Sequence, residues 1–65
     1  MFPINVELIQ KLMKELGLNY HQLAIRSNCK PDTIRHIIQT GRGRLITIGK
    51  LSKGLGLSQE ELILQ

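Results

Sequence analysis

The stretch LAIRSNCKPDTIRHIIQ, residues 23–39, carries one apolar helical pattern that stops after Ser27 and resumes at Pro31. Two residue types explain the break. Asparagine is the non-glycine residue best suited to a left-handed backbone, so Asn28 can turn the chain. Proline has no N–H to lose at the first position of a helix, so Pro31 can restart it. Lys30, directly before the proline, is pushed away from helical angles. A single long helix is therefore excluded, and the interruption is too short for a floppy linker. The expectation is two short helices held at an angle, the second carrying a polar face made of Asp32, Thr33, Arg35, His36 and Gln39 over a buried pair, Ile34 and Ile37.

The flanking sequence supplies three more helices and no convincing strand. The first runs from about Asn5 to Leu16, with Asn5 as N-cap and Ile9, Leu12, Met13 and Leu16 recurring at helical spacing. Gly17 then provides a left-handed stop. Asn19 caps the next helix, with Gln22 as the reciprocal half of a capping box, and Leu23 and Ala24 face inward. After the loop TGRGR, Thr47 caps a fourth helix bearing Ile48, Leu51 and Leu55, closed by Gly54 or Gly56. Gly54 reads as a weak point in its last turn. Ser58 and Glu61 form a second capping box that opens a fifth helix. Leu45–Ile48 has strand-like composition, but a lone strand would have no partner.

A 65-residue chain is one domain, residues 1–65, and buries only about 60% of the surface of its unfolded form. The single cysteine, Cys29, allows no internal disulfide, and it reads as a small packing residue rather than a redox sensor. With two distant histidines it makes no zinc site. The core must come from aliphatic packing. No apolar run approaches the roughly 20 residues that span a bilayer. The N-terminus lacks signal-peptide character, so the expected compartment is cytoplasmic.

Charge is unevenly spread. The formal net charge is +4, yet residues 26–53 hold Arg26, Lys30, Arg35, Arg42, Arg44, Lys50 and Lys53 against Asp32 alone. A strongly cationic segment inside a nearly neutral frame points to a polyanionic partner. Enzyme chemistry finds no support. Ser27, His21 and His36 lack triad spacing, and the string GRLITIGKLS has the wrong glycine spacing for a phosphate loop.

Taken together, NYHQLA at 19–24, the turn SNCK at 27–30, TIRHI at 33–37 and LITIGKLSKGLGLSQEEL at 45–62 resemble the Cro/CI-like (XRE-type) helix-turn-helix proteins. The resemblance spans roughly residues 6–64. The chain departs from the family pattern at Asn28, where glycine is usual, and at Tyr20, where glutamine is frequent. Gly41 falls one residue later than the family glycine, without the usual glutamate before it or proline after it.

The resemblance implies an all-α, five-helix lambda-repressor-like domain with its helix-turn-helix at about residues 20–39. Helix 31–39 would enter the major groove of double-stranded DNA. It further implies Asp32, Thr33 and His36 as base readers, with Arg35 on a base or a flanking phosphate. Asp32 either accepts from cytosine N4 or only stabilises its helix start by charge. Phosphate contacts are expected from Asn19, Tyr20, Lys30, Gln39, Arg42 and Arg44, while Lys50 and Lys53 add long-range attraction.

The expected activity is that of a transcriptional repressor acting as a homodimer, without cofactor, metal, membrane or small-molecule substrate. The rival expectation is a helix-turn-helix interaction module, such as a small antitoxin, that works through a protein partner. The apolar C-terminal run Leu62-Ile63-Leu64 favours it, because all three cannot face one core.

Overall fold

A computed structural model describes residues 1–64. Five helices and one very short pair of strands make up the fold: β1 Phe2–Pro3, α1 Val6–Leu16, α2 Tyr20–Ser27, α3 Pro31–Thr40, β2 Arg42–Gly43, α4 Leu45–Leu55 and α5 Gln59–Leu62. The domain is all-α, measuring 27 × 21 × 18 Å.

Local chemistry accounts for most helix ends. The Asn5 side chain accepts from the Leu8 N–H at 3.2 Å, and Gly17 ends α1 at φ 67°. Asn19 Oδ1 accepts from the Gln22 N–H at 2.7 Å, while Gln22 Oε1 accepts from the Asn19 N–H at 2.9 Å. Ser58 and Glu61 repeat that reciprocal cap at α5. Asn28 takes the left-handed conformation at φ 55°, the only non-glycine among the described residues to do so, and α3 begins at Pro31. Three residues, Asn28–Lys30, thus separate α2 from α3. Because the left-handed backbone costs an ordinary residue roughly 1–2 kcal/mol, Asn28→Val should lower stability by about that much and Asn28→Gly should not. Urea denaturation of the two variants checks this.

The core consists of Ile4, Ile9, Met13, Leu23, Ala24, Ile34, Ile37, Ile48, Leu51, Leu55 and Leu62, with α2 packed against both α3 and α4. Gly54 sits where α4 meets α2. A β-carbon there would press into Ser27 Oγ and stand 3.0 Å from Ser27 Cα. Gly54 is a close-approach residue rather than a weak point, and Gly56, at φ 74°, closes α4.

Two further expectations need correction. Thr47 does not cap α4: the helix starts at Leu45, with Arg44 as an extended N-cap that makes no side-chain bond. Strand pairing ends at Gly43, so the chain is free to coil at once, and this also makes Leu45–Ile48 helical. Second, strands do exist. Phe2 and Pro3 pair antiparallel with Gly43 and Arg42, Ile4 bridges to Ile63, and the Leu64 N–H donates to Pro3 O at 3.0 Å. The N-terminal segment therefore lies between the loop after α3 and the C-terminal tail, with Ile4 in the core.

Candidate nucleic-acid interface

Helix α3 is divided cleanly by its own periodicity. Ile34 and Ile37 are buried. Asp32, Arg35, His36 and Gln39, spaced i, i+3, i+4 and i+7, are all exposed and share the opposite stripe, with Thr33 half-buried at its margin. Asp32 lies in the first turn, where a negative charge suits the helix dipole.

The loop that follows is held from three sides. Gly41 caps α3 in the left-handed region at φ 70°. The Thr40 hydroxyl donates to His36 O at 2.9 Å and accepts from the Arg42 N–H at 3.3 Å. The Ile4 N–H donates to Gly41 O at 2.8 Å, and the strand pair fixes Arg42 and Gly43. Gly43 is buried, and a β-carbon on it would stand 2.6 Å from Ile4 Cδ1. The two arginines thus project from a stitched backbone rather than a slack loop.

Two clefts flank the N-terminal half of α3. One, of about 410 Å³, brings Asp32, Thr33 and His36 together with Arg42, Arg44 and Met1. The other, of about 560 Å³, is lined by Asn28, Cys29, Lys30, Thr33, Thr47 and Lys50. Thr33 and Thr47 line both and form the shared wall. Arg35 and Gln39 lie on the exposed stripe and line neither cleft. Asn19 and Tyr20 are set apart, on a surface shared with Gln10, Met13, Lys14 and Leu18. The backbone N–H and Oδ1 of Asn19 are occupied by the capping box, and half-buried Tyr20 packs against the core.

The seven cations of the basic segment serve different ends. Arg26 Nε donates to Gly54 O at 3.1 Å, tying α2 to the end of α4. Lys53 lines a groove with Leu45, Ile46 and Gln59 that Lys50 also borders, but it does not reach the clefts beside α3. Lys30, Arg35, Arg42, Arg44 and Lys50 remain around α3. Met1, Thr47 and Lys50 were not singled out as site residues by sequence; only a helix start at Leu45 puts Thr47 and Lys50, three residues apart, on the face toward α3. Burial pushes the Cys29 thiol up from its ordinary pKa, against a smaller downward pull from Lys50, so it stays a neutral thiol at pH 7.

Among the described residues no three metal-ligating side chains converge, and no helix is long and apolar enough to cross a membrane. Comparison with models of protein families, with curated proteins and with solved structures finds no match to this chain.

Proposed function

We propose that this chain is a sequence-specific DNA-binding regulator, a cytoplasmic repressor of the Cro/CI-like kind, that reads the major groove with α3. One observation carries the reading. The exposed stripe Asp32-Arg35-His36-Gln39 rests on buried Ile34 and Ile37 and is bordered by basic clefts on two sides. Arginine can hydrogen-bond guanine O6 and N7 together, which makes Arg35 the most informative reader. A homodimer fits the dimensions. Half-sites one helical turn apart lie about 34 Å from centre to centre. Two copies of a domain 27 Å in its longest dimension can stand side by side at that spacing.

The second reading, a module that acts through a protein partner, also has its own observation, but on a different surface from the tail. Leu62 is fully buried, Ile63 bridges to Ile4, and only Leu64 stands out at 49% exposure. The more exposed apolar pair is Leu45 and Ile46, the latter 71% exposed.

Titration against random duplex DNA at two salt concentrations separates the readings. A DNA-binding domain that neutralises several phosphates must lose affinity steeply as salt rises. Weak binding indifferent to salt favours the partner protein. Once a preferred sequence has been selected from a random pool, Arg35→Ala should cost roughly 1–3 kcal/mol of affinity and relax preference at one base position. A uniform loss across all sequences instead assigns Arg35 to a phosphate.

A further inference from the structure

The two clefts beside α3 are both basic but differ in whether a carboxylate stands among the cations. Asp32 lines the arginine cleft and offsets part of its charge. No carboxylate lines the lysine cleft, whose two ammonium groups, Lys30 and Lys50, stand with the hydroxyl-bearing Thr33 and Thr47. Cys29, in the same cleft, adds no negative charge because burial keeps its thiol protonated. A phosphodiester oxygen asks for this combination of cations and hydrogen-bond donors without competing anions.

We propose that the cleft between the α2–α3 turn and α4 seats a DNA backbone phosphate, held by Lys30 and Lys50 and steadied by Thr33 and Thr47. This rests on the DNA-binding reading above and adds a discrete contact to it. Lys50 changes from a diffuse source of attraction into a positioning contact that sets how deeply the tip of α3 enters the groove. Lys53, three residues further along α4, has the same charge and shares with Lys50 the groove of Leu45 and Ile46, but it does not line the cleft beside α3, so it serves as an internal control.

The test is the salt dependence of binding to a labelled random duplex, measured by fluorescence anisotropy for the wild type, Lys50→Ala, Lys53→Ala and Lys30→Ala/Lys50→Ala. All three lysine positions are exposed, so the variants should fold, and circular dichroism checks that they do. Each phosphate neutralised contributes about 0.9 to the slope of log affinity against log salt. Lys50→Ala should flatten the slope by about one such unit and the double variant by about two, while Lys53→Ala, which removes long-range attraction only, flattens it by well under half of what Lys50→Ala does. Equal flattening by Lys50→Ala and Lys53→Ala, or none by Lys50→Ala, overturns the proposal while the wild-type slope still supports DNA binding. A flat wild-type slope overturns the DNA reading and this contact with it. Inorganic phosphate is the probe for a free-anion site. If it displaces DNA more effectively than sodium chloride at equal ionic strength, and Lys50→Ala abolishes the difference, the cleft holds a soluble anion and the backbone assignment is wrong.

Discussion

Gly54→Ala should destabilise the domain by roughly 2–3 kcal/mol, although alanine is the better helix former. In an exposed helix interior the same change would gain about 1 kcal/mol from propensity. Here the new methyl would press on Ser27 Oγ and also stand 3.0 Å from Ser27 Cα and 3.1 Å from Ser27 N. Backbone cannot step aside as a side-chain tip can, so α2 and α4 must separate. Separation also strains the bond from Arg26 Nε to Gly54 O and opens the packing around Leu23, Ala24 and Leu51. A small domain without disulfide or metal commands only about 3–5 kcal/mol in total, so the loss is most of its stability. Urea denaturation should show a large fall in midpoint with little change in slope. Gly49→Ala, in the same helix, is the control. Its β-carbon would meet chiefly the amide end of Gln59, which can swing away, so this variant should be neutral or stabilised. If Gly54→Ala instead behaves like Gly49→Ala, α2 and α4 are not as close as described.

Gly54 also marks a boundary of what the sequence discloses. A glycine near a helix end reads as a propensity defect, because the second helix that makes it necessary is contributed by residues 20–27. Caps are different. Asn19 with Gln22, Ser58 with Glu61, and the Asn28 turn depend only on neighbours along the chain, so their chemistry is legible before any fold is known. The amphipathic division of α3 is legible for the same reason. Sorting the basic residues was not. Counting finds seven cations between residues 26 and 53, but only the packing shows Arg26 tied to a carbonyl of α4 and Lys50, unlike Lys53, bordering the cleft beside α3. The phase of α4 was hidden too. Thr47 looks like a cap because threonine often is one, whereas the strand pair ending at Gly43 decides where coiling begins. A two-residue strand has no periodicity to detect, so the pairing of Phe2 and Pro3 with the loop leaves no trace in the sequence.

That hidden strand gives Ile4 an importance its position near a chain end conceals. End residues normally fray, and truncating one costs little. Ile4, however, is 2% exposed, and it closes the core from the side of β2, the loop strand that carries Arg42. Its N–H donates to Gly41 O, its Cδ1 fills the space that Gly43 leaves open, and it bridges to Ile63. Ile4→Ala should therefore cost roughly 2–5 kcal/mol, the range for removing a buried isoleucine side chain, against about 0.5–1.5 kcal/mol for Ile4→Val. Ile25→Ala, at a side chain 70% exposed, should change stability by less than about 0.5 kcal/mol. The graded series separates packing from simple loss of hydrophobicity, since Ile25 loses the same atoms from water rather than from the core. It should also act on binding. Ile4 holds the backbone of the loop bearing Arg42 and Arg44, so Ile4→Val, which stays folded, should weaken duplex binding while leaving base preference unchanged, because α3 itself is anchored by Ile34 and Ile37. Urea denaturation and anisotropy on the same samples read both effects. Equal, small losses for Ile4→Ala and Ile25→Ala would mean that the N-terminal strand is not docked in solution, and the loop arginines would then lack the fixed backbone from which they project.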